Sequence, residues 1–378
     1  MPDASQPSEH TGEVDVRVPE RPHRPWWKQA MSIGVTLLVL VAVFGFVLPG
    51  LTDYGSILEY IGEISVGEWV LLVSISIVFV MAYPFVLVQA LVSLRLREAF
   101  VNHMAGTAIT NSVPSGGAIA LPVNYTMYMS WGFTPASISA GMLSAGVWDW
   151  LLRISLPVLA VLGIALTGEA LGWMWLVSIG GILAVVVMVL VLSKILGREK
   201  DARRFAQWID RMGTLVFRIT RRDKPDLESA VMQFRTDLNS IVQSRALRLT
   251  IATINNHLAM AALFAVSVYS VGIETDQISI PWMVLAFALG RFLVMIPVSP
   301  GGLGLVDLGW IGLLTLGWQT ANPGVPVDRD LIAAGVLLFR ALTLLPPILI
   351  GMASWLFWRA DKSWRQDWQT VRRGETPA

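Results

Sequence analysis

Five ionisable residues fall inside otherwise apolar runs of this chain: Asp149, Arg153, Arg291, Asp307 and Arg340. An arginine near the centre of a bilayer costs about 2.5–3.5 kcal/mol even on a lenient insertion scale, so each such group needs a partner or a ligand. Asp149 and Arg153 are four apart on one helical face and can neutralise each other. Arg291 and Arg340 have no acid three or four positions away, and Asp307 can satisfy one of them or be shared. Three positive and two negative charges leave one positive, which suits a phosphate-bearing headgroup. The competing reading is cross-helix pairing that fixes a bundle.

Two proline–glycine breaks supply a second anion-binding element. Val113-Pro114-Ser115-Gly116-Gly117 and Val298-Ser299-Pro300-Gly301-Gly302 each interrupt an apolar stretch. A helix restarting after such a break turns free N–H groups and its positive dipole end inward, and glycine lets backbone approach a ligand closely. A single break of this kind is common in turns. Two at matching places, each followed by an intramembrane arginine, are a stronger signal. Asn111, Asn124, Asn255, Asn256 and His257 can line a hydrated path or bond across helices.

Other chemistry is poorly provided for. With no cysteine and only four scattered histidines, thiolate sites and a histidine metal cage are not expected, and no cofactor is implied. No serine–histidine pair or close carboxylate pair suggests an intramembrane enzyme. The sequence gives no reason to expect a nucleic-acid partner.

The elements that position these residues are apolar. Hydrophobic residues make up 54% and charged residues 15%, against about 25% charged in an ordinary soluble domain, and mean hydropathy is +0.60. Runs long enough to cross a bilayer cover Ala30–Leu51, Trp69–Val92, Ala136–Leu166, Gly172–Leu196, Leu247–Gly272 and Leu331–Trp358. The first lacks a convincing signal-peptide cleavage site and reads as a retained anchor. The broken stretches 100–130 and 281–317 do not read as single helices.

Basic residues gather in cytoplasmic loops. Arg17, Arg21, Arg24 and Lys28 place the N-terminus inside, as do Arg359, Lys362, Arg372 and Arg373 for the C-terminus, and the stretch from Lys194 to Arg248 is also inside. The loop with Asp53, Glu59, Glu63 and Glu68 lies outside, as does that with Glu274 and Asp276. Six crossings satisfy these positions only if both broken stretches return to their side of entry. The expected fold is therefore all-α and polytopic, with six full transmembrane helices and two re-entrant helical hairpins arranged as an inverted repeat. Ala145-Gly146-Val147 before Arg153 and Pro157 matches Ala334-Gly335-Val336 before Arg340 and Pro346. Arg153 follows Gly117 by 36 positions, and Arg340 follows Gly302 by 38. Inverted repeats with interrupted helices in matching places characterise alternating-access transporters, with the site at the breaks.

The divisions are a cytoplasmic tail 1–28, a first membrane half 29–196, a cytoplasmic amphipathic linker 197–245, a second half 246–358 and a tail 359–378. In the linker, Arg203–Arg222 carries an apolar face at helical spacing among arginines, as does a second segment, Leu227–Val242. Both suit the membrane surface.

Pro297-Val298-Ser299-Pro300-Gly301-Gly302-Leu303-Gly304-Leu305-Val306-Asp307 resembles the family named for the lysylphosphatidylglycerol synthase transmembrane region, also called flippase-like domain proteins. Asn111-Ser112-Val113-Pro114-Ser115-Gly116-Gly117 is similar to that family's upstream Asn-x-x-Pro-x-Gly-Gly element, and the likeness runs from about Ala30 to Trp358. Asp307 stands where the family usually has glutamate, and no basic residue follows the first paired glycines around Ala120–Val123. The resemblance implies a bacterial inner-membrane protein that binds or translocates an anionic, phosphate-bearing lipid or a lipid-linked envelope precursor. Its candidate substrate-binding residues are Arg153, Arg291, Arg340, Asp307, Asn111, Pro114, Gly116, Gly117, Pro300, Gly301 and Gly302. Lipid aminoacylation is not expected without the soluble domain that synthase members carry. The alternative is a non-transporting scaffold that docks an envelope lipid synthase or glycosyltransferase on the basic linker.

Overall fold

The computed structural model describes residues 53–112, 116–168, 172–197, 199–220, 227–294 and 302–361. The expected first span, Ala30–Leu51, the terminal stretches before Asp53 and beyond Asp361, and the prolines of the two breaks lie outside these residues. Eleven helices are described, and no strand occurs among the described residues: α1 Tyr54–Gly62, α2 Val66–Ala90, α3 Leu96–Ser112, α4 Gly116–Ser130, α5 Pro135–Thr167, α6 Gly172–Leu196, α7 Glu199–Thr220, α8 Leu227–Tyr269, α9 Ile280–Leu293, α10 Leu305–Ala321 and α11 Arg329–Ala360.

Among the described residues, five stretches are long and apolar enough to cross a membrane: Val66–Ala90, Pro135–Leu166, Gly172–Ile195, Ser244–Tyr269 and Arg329–Ala360. They correspond to the second through sixth spans read from the sequence. Local chemistry sets several of their ends. Ser65 and Glu68 form a reciprocal cap at the start of α2, Thr134 caps α5, and Asp328 accepts the Leu331 N–H at the start of α11. Gly168 closes α5 in the left-handed conformation, at φ +79°.

Two features differ from the sequence reading. Leu227–Val242 and the fifth span form one unbroken helix of 43 residues, so the boundary drawn between 245 and 246 falls inside α8. A short helix, α1, stands in the acidic loop. Its capping residue Asp53 donates its backbone N–H to Asp330, and Tyr60 donates its hydroxyl to Asp328 at 2.7 Å, which fastens α1 to the start of α11.

Helices α3 and α4 fold back on each other, as do α9 and α10. In the second pair Gly317 faces Trp282 and Gly309 faces Leu293. The two hairpins open at opposite ends of the bundle. At one end Trp358 donates to Ser130 at 3.1 Å, and Arg245 donates to the Val88 carbonyl at 3.3 Å. At the other, Asn322 donates to the carbonyls of Asp276 and Gln277.

Each hairpin has its own core. Phe264, Phe287, Trp310 and Phe339 pack ring against ring between α8, α9, α10 and α11. Met127, Tyr128, Ala105, Leu91 and Leu249 pack around α3 and α4. Helix α6 is peripheral, with Leu176, Ile179, Leu183, Val187 and Leu190 exposed, as a lipid-facing helix must be.

Candidate functional site

Between the two cores lies a polar cavity of about 390 Å³, reached by α2, α3, α4, α5, α8, α9, α10 and α11. Its floor is built by α3, whose periodicity carries three turns of small polar residues to one side. Asn102 and His103, then Gly106 and Thr107, then Thr110 and Asn111 recur at four-residue intervals and line the cavity. Opposite them stand Asn124 from α4 and Asn256 from α8. Asn102 donates its amide to the Asn124 carbonyl at 3.1 Å, tying the hairpin arms together, while the Asn124 side-chain oxygen is buried without a partner among the described residues. Tyr83 of α2 stacks on His103 at 4.4 Å between ring centroids.

The charged residues divide unequally. Arg153 donates from Nε to Asp149 at 2.5 Å along α5. Arg340 of α11 donates from Nε to Asp307 of α10, donates from Nη2 to the Gly302 carbonyl at 3.4 Å, and lies 4.6 Å from the centre of the Trp310 ring. Two arginines are thereby matched to two aspartates. Arg291, near the end of α9, lines the cavity with no carboxylate within ion-pair distance, and its buried Nε finds no acceptor among the described residues. The surplus positive charge counted from the sequence thus falls on Arg291.

Of the candidate residues, Arg153, Arg291, Arg340 and Asn111 line the cavity. Asp307 is 1% exposed and reaches it only through Arg340. Gly302 adopts φ +73°, which favours glycine, and presents its carbonyl to Arg340. The first glycine pair does not line the cavity. Gly116 is buried against the backbone of Ile109 and Thr110, so it permits the close approach of α4 to α3, and Gly117 faces open space. Pro114, Pro300 and Gly301 lie outside the described residues.

The expectation of a bare positive helix end after Gly302 also changes. Helix α10 begins at Leu305, and the Gly304 N–H donates to Asp307 at 2.8 Å, so this N-terminus already faces a carboxylate of its own. Asn255 is exposed and takes no part in the cavity, whereas Asn256 and His257 are buried. Tyr83, Asn102, His103, Thr107 and Thr110 were not singled out from the sequence. His103 carried a usable signal, being an ionisable side chain inside an apolar stretch.

Among the described residues no group of three or more His, Asp or Glu could hold a metal ion. The arrangement can receive an anion at Arg291 and hydrogen-bond uncharged polar groups along α3.

No family model matches the chain. It is 27% identical over 219 residues to a UPF0104 membrane protein of Methanothermobacter thermautotrophicus strain Delta H, a match that covers 56% of this chain and 63% of that protein. The chain therefore aligns with less than two thirds of its relative's length. With five apolar helices of bilayer-crossing length and a membrane-protein relative, the chain is a multi-pass α-helical membrane protein.

Proposed function

We propose that this chain is a flippase-like protein that binds, and moves across the bilayer, a lipid with a phosphate-bearing headgroup. The carrying observation is Arg291, a cation lining a polar cavity with no carboxylate partner among the described residues. A buried unpaired charge is expensive, so a site that keeps one is arranged for an anion that comes and goes. The neutral amides and hydroxyls of α3 then face the rest of the headgroup. The distant UPF0104 relative and the two breaks, Pro114-Ser115-Gly116-Gly117 and Pro300-Gly301-Gly302, support assigning the chain to the flippase-like family. Transport, not catalysis, is the activity proposed.

The same reading takes both hairpins as re-entrant. At 1.5 Å per residue, α3, α4, α9 and α10 each span about 21–26 Å, short of the roughly 30 Å hydrocarbon core. Their opening at opposite ends of the bundle supports an inverted repeat with the Ala30–Leu51 run as its first span. Arg95, Arg97, Arg245, Arg248 and Arg359 all fall at the α3–α4 end, which supports a cytoplasmic face there and cytoplasmic termini in an inner membrane.

The test is reconstitution into vesicles with fluorescent phosphatidylglycerol and measurement of its movement between leaflets. Arg291→Gln removes a charge-assisted contact worth about 1.5–3 kcal/mol and should slow movement about tenfold or more, with Arg291→Lys recovering part. Wild-type rates in Arg291→Gln would sink the assignment.

A further inference from the structure

We infer that Asp149 and His257 together bind one proton in the cavity wall, and that this proton is taken up along with the anionic headgroup. The second half rests on the lipid-binding reading above, whereas the first stands on geometry alone.

His257 on α8 is 4% exposed and Asp149 on α5 is 8% exposed. The His257 Nδ1 lies 3.1 Å from the Thr253 carbonyl oxygen. A carbonyl only accepts, so Nδ1 carries a proton and the neutral ring leaves Nε2 as a bare lone pair. That lone pair faces the Asp149 Oδ1 at 3.5 Å, and neither atom has a hydrogen-bond partner among the described residues. Two acceptors face each other in a buried site. Each forfeits solvation without compensation unless a proton lies between them. The other carboxylate oxygen is held by Arg153 at 2.5 Å, which fixes Asp149 in this orientation.

The charged and titratable groups that share this space are Arg153 on α5, Arg291 on α9, Arg340 on α11, Tyr83 on α2, His103 on α3 and Tyr128 on α4. Without the extra proton, Arg153, Asp149 and His257 sum to zero. With it they sum to one positive charge, and Arg291 adds a second. An arriving phosphate therefore favours the proton, and the proton favours the phosphate, by an equal factor in each direction. Uptake of one proton per headgroup changes lipid affinity by up to about tenfold per pH unit. A proton gradient across the bilayer would then bias the direction in which the headgroup moves.

The chain has four histidines, so ¹⁵N-histidine NMR of the full chain in micelles resolves few imidazoles, and His257→Gln assigns the relevant one. The expected result is a one-proton step at the His257 Nε2 as pH is lowered. Asp149→Asn should displace that step. Added phosphatidylglycerol should move it to higher pH, and phosphatidylcholine should not. An Nε2 that is neither protonated nor hydrogen-bonded at any pH at which the chain stays folded overturns the proton site, as does an unchanged step in a well-folded Asp149→Asn protein. Should that variant fail to fold, the wild-type titration still decides. A step indifferent to phosphatidylglycerol overturns the coupling. A proton step that persists in a protein unable to move lipid counts against the transport reading and leaves the proton site standing.

Discussion

Arg340 and Asp307 bind each other across the seam between α11 and α10, and the second oxygen of the same carboxylate accepts the Gly304 N–H at 2.8 Å. One aspartate thus anchors an arginine and the start of a helix. Removing it strands both. Asp307→Asn should lower stability by about 3–5 kcal/mol, the cost of leaving a buried charge without its partner. The double variant Asp307→Asn/Arg340→Gln should recover part of that loss, measured by thermal unfolding of the detergent-solubilised protein.

Gly351 is where α11 meets the first hairpin. A Cβ there would overlap the Met104 carbonyl oxygen and lie 2.6 Å from the Ala108 methyl. Gly351→Val should cost about 1–3 kcal/mol or more by overpacking. Gly312→Ala, in a helix where a Cβ meets nothing within 4 Å, should be neutral or stabilising by up to about 1 kcal/mol. Equal melting temperatures for the two variants would contradict the close contact.

Outside the spans, the bond to Asp328 first, and burial second, push the Tyr60 hydroxyl up to about 12. A raised value means that the neutral, donating form is favoured on folding. The stability it contributes is complete below the ordinary tyrosine value of about 10, and is lost as pH climbs through about 12. The difference between wild-type and Tyr60→Phe tyrosinate absorbance titrations should show one late-ionising group, and the variant should lose the stability decline in that window.

The native absence of cysteine allows a clean accessibility test. Thr110→Cys and Val294→Cys both place a thiol on the cavity wall, and each should react with a small water-soluble reagent. Val187→Cys, on the exposed apolar face of α6, should not. Silence at both wall positions would mean a dry cavity and would remove the hydrated route that lipid movement needs.

Apolar length and breaker residues made the spans legible: α6 was read to its terminal residues, and α2, α5 and α11 to within three residues at each end. Helix α1 was missed because nine residues with Glu59 among them offer no bilayer-length run. The Ser65–Glu68 cap at the next helix was written in the sequence as a Ser-x-x-Glu spacing. Charge counting anticipated one surplus cation, but only the fold decided that Asp307 belongs to Arg340 and leaves Arg291 without an acid. The polar stripe of α3 was hidden for a different reason. Its asparagines and threonines interleave with alanine, valine and methionine, and that pattern reads as weak hydrophobicity until a neighbouring helix shows which side faces inward.

Helix α8 runs 43 residues without interruption, about 64 Å at the helical rise and roughly twice the hydrocarbon thickness. His257 lies toward one end of this rod and Leu227 forms the other. A tilt of about 5° at the cavity sweeps the far end through roughly 4 Å, since some 45 Å of continuous helix separates them. The helix is thus a lever: whatever grips α7 and the first turns of α8 applies force directly to the wall that holds His257.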